Sequence, residues 1–130
     1  MNCELETIDS AQKTKIILIV DDIEEIKKSF SFIAKSLGFK ILLADNGCEA
    51  IDVYKEKMPD IVFMDVRMPI KNGCDAFKEI KEFDSNAKII FMTAFSGDPC
   101  ILELMTSHHI SIIEKPFQLD KIMKILQPNG

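Results

Sequence analysis

Asp21, Asp22, Asp65, Thr93 and Lys115 have the side-chain types needed to receive and hold a phosphoryl group. Carboxylates gathered in one place repel one another and raise each other's pKa unless a cation lies among them. An all-oxygen site with few protein ligands suits Mg²⁺, which keeps part of its water shell and coordinates phosphate oxygens. Mn²⁺ favours the same ligands and can substitute. With a lysine as a point charge and a threonine as a hydroxyl donor, the equatorial oxygens of a transferring phosphoryl group can be held while one carboxylate attacks. Taken singly, each residue has a plainer reading. An Asp-Asp pair before a helix is ordinarily an N-cap and a first-turn charge. Asp65 alone is a turn cap, Thr93 strand filler, and Lys115-Pro116 a loop. Their joint placement decides between the two readings.

That placement follows from the elements. Lys15 to Val20 is a short, continuous, β-branched apolar run, the pattern of a strand buried on both faces. It ends at Asp21-Asp22. Ile26, Phe30, Ile33 and Leu37 then recur at helical spacing, and Gly38 stands where a left-handed cap belongs. The alternation repeats: a strand over 39–44, a helix over 46–57, a strand over 60–65, a helix opened by Asn72-Gly73, a strand over 87–92, a weaker helix over 98–107, a strand over 110–114 and a last helix over 118–126. Five βα units in series predict an α/β fold: a parallel sheet with right-handed crossovers and helices on both faces. Asp21-Asp22, Asp65, Thr93 and Glu114-Lys115 then converge at the carboxyl edge of the sheet, where such folds bind ligands.

The bulk properties agree. With 130 residues, 47% of them hydrophobic and 28% charged, the chain suits one globular domain. Its net charge of −5 leaves no basic patch to neutralise a nucleic-acid backbone, so direct nucleic-acid binding is not expected. No apolar run approaches the roughly 20 residues needed to span a bilayer, and no secretory leader is evident. Cys3, Cys48, Cys74 and Cys100 lie far apart with no metal or dithiol spacing, which predicts reduced thiols in a cytoplasmic protein. Residues 1–14 read as a loose arm, 15–127 as the domain and 128–130 as a tail.

The chain resembles the receiver domain of two-component response regulators, in particular the chemotaxis type. The resemblance rests on Ile19-Val20-Asp21-Asp22, Met64-Asp65-Val66-Arg67-Met68-Pro69, Asn72-Gly73, Met92-Thr93-Ala94 and Glu114-Lys115-Pro116-Phe117. It implies a flavodoxin-like doubly wound sheet of order 2-1-3-4-5. It also implies roles. Asp65 would accept the phosphoryl group; Asp22 and Asp65 would ligate Mg²⁺ directly, Asp21 through a water, and Arg67 through its backbone carbonyl. Thr93 and Lys115 would hold the phosphoryl oxygens, with a cis peptide at Lys115-Pro116 aiming the lysine. The implied donor is a histidine kinase or a histidine phosphotransfer protein docking on the first helix, where Phe32 lies off the apolar stripe. The implied output is a protein target bound at the face of the fourth helix, fifth strand and fifth helix.

Three positions depart from the family pattern. Ile112 stands where receivers carry a Tyr or Phe, so the switch is expected to run through the backbone after Thr93 rather than through a ring rotamer. His108-His109 replaces a small pair and reads as two solvated residues at a helix end. Arg67 and Phe95, two residues beyond Asp65 and Thr93, are expected to crowd the path of hydrolytic water and lengthen the phosphorylated lifetime. The dispersed methionines read as core filler.

Other classes fit less well. An aspartyl-nucleophile phosphatase of the haloacid-dehalogenase type needs an acid where Arg67 stands. A flavodoxin would place its flavin phosphate against Asp21-Asp22, which repel it. A degenerate receiver used only for binding conflicts with a complete set of acids, threonine and lysine. The chain is expected to be a signalling module rather than an enzyme, either standing alone or forming the front of a longer DNA-binding or effector regulator.

Overall fold

The computed structural model describes residues 15–95, 97–115 and 119–126, with backbone only at 119 and 120. The expected arm 1–14, the tail 128–130 and the Lys115-Pro116 peptide lie outside the described residues. The elements are β1 (Ile16–Val20), α1 (Glu24–Ser36), β2 (Lys40–Ala44), α2 (Gly47–Lys57), β3 (Ile61–Asp65), α3 (Gly73–Phe83), β4 (Ile89–Thr93), α4 (Pro99–Leu104), β5 (Ser111–Glu114) and α5 (Leu119–Leu126).

All four strand pairings are parallel and the order is β2-β1-β3-β4-β5. This is the expected flavodoxin-like sheet, with its topological switch between β1 and β3. Strand periodicity divides the core. Leu18, Val20, Val62, Met64 and Phe91 face a layer containing Tyr54, Phe77 and Ile80 of α2 and α3. Ile17, Ile19, Phe63, Ile90 and Met92 face Phe30 and Ile33 of α1 and Ile122 of α5. Because the central strands are covered on both faces, their apolar runs are continuous rather than alternating.

Local chemistry sets the helix ends. The side-chain oxygens of Asn46 and Asn72 accept the backbone N–H of Glu49 and Asp75, at 3.0 and 2.9 Å, capping α2 and α3. At the end of α1, Gly38 has φ +93°; its N–H donates to the Lys35 carbonyl and that of Phe39 to Ala34, the paired bonds of a Schellman turn. Helix α4 is shorter than the sequence suggests. It buries only Ile101 and Leu104 and gives way to a turn at Met105.

Two expectations need correction. Met64 and Met92 do fill the core, but Met58, Met105 and Met123 are exposed on the surface. The thiols are not isolated. Cys74 of α3 and Cys100 of α4, 26 residues apart in sequence, are joined as a disulfide with Cα atoms 6.2 Å apart. Sequence spacing missed this pair because the crossover, not a local motif, brings the starts of the two helices together. Among the described residues Cys48 is a free, half-buried thiol, and no helix is long and apolar enough to cross a membrane.

Candidate functional site

The carboxyl ends of β1, β3, β4 and β5 bring the predicted residues to one edge of the sheet. Asp21 follows the last residue of β1; its Oδ1 accepts the Ile23 N–H at 2.9 Å, and it is completely buried. The N-cap of α1 is Ile23, with no side-chain cap of its own. The Asp-Asp pair therefore does not cap the helix. Asp22 is exposed and opens onto a cleft of about 480 Å³ that Arg67, Ile70, Lys71 and Asp75 also line.

Asp65 is the last residue of β3 and is almost fully buried. Its Oδ1 accepts the Val66 N–H at 2.9 Å. Gly73, at the start of α3, makes this packing feasible, since a Cβ there would overlap the Asp65 carbonyl. One carboxylate oxygen from each of Asp21, Asp22 and Asp65 lies within 4.8 Å of the others, close enough to share one cation.

Lys115 spans two of these acids. Its Nζ donates to Asp21 Oδ2 at 2.9 Å and to Asp65 Oδ1 at 3.1 Å. Its backbone N–H donates to the Thr93 carbonyl at 2.7 Å, which fixes the start of the lysine against the end of β4. Burial pushes the Asp65 carboxyl up to about 6, with the charge of Asp21 adding to the rise and Lys115 and the Val66 N–H opposing it. Burial works against the Lys115 ammonium, but its bond to Asp21 and the charge of Asp65 outweigh that and hold its pKa above the ordinary lysine value. Among the described residues Lys115 bonds two of the three acids, which leaves a deficit of positive charge, and the donor set is the hard-oxygen set that Mg²⁺ prefers.

Thr93 ends β4. Its hydroxyl donates to the Phe95 carbonyl and accepts the Phe95 N–H, both at 3.1 Å. Arg67 sends its guanidinium across to the turn before α4, where Nε donates to Asp98 Oδ2 at 2.8 Å and Nη2 to Asp98 Oδ1 at 2.7 Å. Asp98, nearly buried, also caps α4 by accepting the Cys100 N–H at 3.1 Å. The Phe95 ring folds over Gly97, where a Cβ would lie 2.8 Å from the ring. Sequence reading missed Asp98. An Asp-Pro opening a helix signals a cap, but not a partner 31 residues upstream.

His108 and His109 are exposed as expected, with His108 edge-on to Phe77 at 5.1 Å between centroids. Ile112 is half-buried against the α2–α3 side of the core. Phe32 is 77% exposed on α1.

A five-stranded parallel sheet of this order, with an acid trio at the ends of β1 and β3 and a lysine after β5, defines a phosphoacceptor signalling domain rather than a conventional enzyme. The chain matches the response regulator receiver domain over residues 17–127, and it belongs to that family. It is 40% identical over 113 residues to a chemotaxis protein CheY of Thermotoga maritima, covering 86% of this chain and 94% of that one. Among solved structures it is similar to the CheX–CheY–BeF3–Mg complex of Borrelia burgdorferi, with TM-score 0.77 and 32% identity over 85% of this chain and 84% of that one. It is also similar to the receiver domain of a Pseudomonas aeruginosa sensor histidine kinase with a magnesium ion coordinated in its active-site cleft, with TM-score 0.79 and 25% identity over 88% and 95% of the two chains. The chain is thus a CheY-like receiver whose acidic pocket of Asp21, Asp22 and Asp65 serves phosphoryl acceptance.

Proposed function

We propose that residues 15–127 form a receiver that takes a phosphoryl group onto Asp65 from the phosphohistidine of a histidine kinase or histidine phosphotransfer protein. The observation that carries this reading is the convergence of three carboxylate oxygens within 4.8 Å, bridged in part by Lys115. Asp21, Asp22 and Asp65, with the Arg67 carbonyl, are the groups that would hold Mg²⁺. When bound, the ion neutralises the acid cluster and the charge that develops on the phosphoryl oxygens. Mn²⁺ would serve in its place.

The side chains divide the remaining work. The Asp65 oxygen attacks phosphorus as the N–P bond of the ring-protonated phosphohistidine breaks, giving an acyl phosphate and a neutral imidazole. Lys115 then pairs with a phosphoryl oxygen instead of with the free Asp65 oxygen. Thr93 donates its hydroxyl to another, and to do so it must give up its bond to the Phe95 carbonyl. Phosphorylation therefore pulls on the turn that leads to α4, and the surface of α4, β5 and α5, where Leu102 and Met105 are exposed, changes its fit to a protein target. Phe32, exposed on α1, gives the donor an apolar contact. The expected setting is the cytoplasm, where such donors reside.

Incubation with acetyl phosphate and Mg²⁺ tests this reading. Intact mass should show one added phosphoryl group on the wild type and none on Asp65→Asn or in excess chelator. Equal labelling of wild type and Asp65→Asn would defeat it.

A further inference from the structure

The disulfide lies next to the switch just described. Cys74 is the second residue of α3, one position after Gly73, whose backbone packs against the Asp65 carbonyl. Cys100 is the second residue of α4, and its N–H is held by the same Asp98 that Arg67 grips. The bond therefore ties the far end of the Thr93–Asp98 turn to the floor beneath Asp65. In the structure that contains it, the Thr93 hydroxyl is engaged with the Phe95 backbone.

We propose that Cys74 and Cys100 form a reversible thiol-oxidation site whose disulfide holds the turn after Thr93 in its present arrangement and so opposes the rearrangement that phosphorylation drives. The inference rests on the receiver reading above. The oxidant class is a low-molecular-weight disulfide. Cys100 is half-buried while Cys74 is only 2% exposed, so exchange begins at Cys100. Its thiolate attacks the small disulfide and releases one thiol, leaving a mixed disulfide. The Cys74 thiolate then displaces the second small thiol and closes the protein bond. Two protein thiols are oxidised by two electrons, and one small disulfide is reduced to two thiols. In a reducing compartment such a bond is transient and serves sensing rather than architecture.

The coupling has a definite direction. A cross-link formed in one arrangement of the turn and absent from another favours the first, and the effect is reciprocal. Oxidation should weaken the response to phosphorylation, and phosphorylation should make the disulfide easier to reduce.

The purified protein is equilibrated in glutathione buffers of graded ratio and analysed by intact mass and peptide mapping. The backbone amide shifts from Thr93 to Asp98 induced by beryllofluoride with Mg²⁺ are then compared in the reduced and oxidised forms. The expected result is a Cys74–Cys100 cross-linked peptide and at least a twofold smaller response in the oxidised form. Cys100→Ser, and Cys74→Ala as a second variant, should respond like the reduced wild type whatever the buffer. Thiols that stay reduced across the series, cross-linking through Cys3 or Cys48 instead, or identical responses in the two forms would each overturn the proposal. If the reduced wild type and both variants show no beryllofluoride-induced amide shift anywhere, at Asp65 included, the receiver reading falls with it, so the two failures are told apart.

Discussion

Arg67 and Asp98 form a two-bond ion pair, with Nε to Oδ2 at 2.8 Å and Nη2 to Oδ1 at 2.7 Å. The pair joins the turn after β3 to the turn after β4. Its acid is nearly buried and its arginine is largely exposed. Removing the guanidinium leaves a buried carboxylate with the Cys100 N–H as its remaining donor among the described residues.

Arg67→Ala should therefore cost about 1–2 kcal/mol of stability, read from denaturant unfolding. Combined with Phe95→Ala, it should also open the rim of the cleft to water. The expected gain in spontaneous dephosphorylation is several-fold, on the order of 1 kcal/mol of barrier. An unchanged decay rate in the double variant would show that these side chains do not guard the acyl phosphate.

Asp65 makes stability depend on pH in a definite direction. Its pKa of about 6 lies above the ordinary value of 3.8, so the folded protein keeps a proton through a range in which the unfolded chain has lost it. Metal-free stability contributed by this group thus falls as pH rises from about 4 to 6 and stays low above that. The open rim screens part of the effect, leaving about 1–2 kcal/mol. Asp65→Asn should be more stable than the metal-free wild type by that amount at pH 7 and equal to it near pH 4. Mg²⁺ affinity, which needs the carboxylate, should drop about tenfold per pH unit below 6. A stability difference that does not change across this range would contradict the burial of a charged Asp65.

Gly73 tests the packing beneath the site without touching its chemistry. A methyl group there would overlap the Asp65 carbonyl backbone, which cannot swing aside as a side chain does. Gly73→Ala should cost about 3 kcal/mol, the upper end for overpacking, and should slow phosphorylation through displacement of Asp65. Wild-type stability and rate in this variant would mean that α3 does not set the position of the nucleophile.

Ile112 bears on how the signal leaves the site. A half-buried aliphatic side chain can fill space but offers no ring to move. Beryllofluoride with Mg²⁺ should therefore shift the backbone amides from Thr93 to Asp98, and Ile112→Ala should preserve those shifts while lowering stability. An unchanged turn in the wild type would place the readout elsewhere.

Much of this molecule was legible in the sequence for a simple reason. Strands buried on both faces read as continuous apolar runs, Asn46 and Asn72 mark helix starts, and Gly38 marks a helix end. Serial βα units then force Asp21, Asp22, Asp65 and Lys115 to one edge. What stayed hidden depends on contacts between elements. The α4 helix is only six residues long and buries two of them, too few to set a clear period. The Cys74–Cys100 and Arg67–Asp98 pairs link separate crossovers, so neither leaves a local pattern. Ile70, exposed at φ +71°, occupies a region that β-branched residues avoid, and no propensity foretells it.

The central claim is that phosphorus bonds to Asp65 and to no other residue. Borohydride reduces an aspartyl phosphate to homoserine, so reductive trapping after phosphorylation, followed by peptide mass mapping, reads the position directly. Treated with acetyl phosphate or a phosphorylated histidine kinase in Mg²⁺, the protein should yield homoserine at position 65, and none in chelator. Homoserine at position 21 or 22, or no trapped product with either donor, would contradict the account.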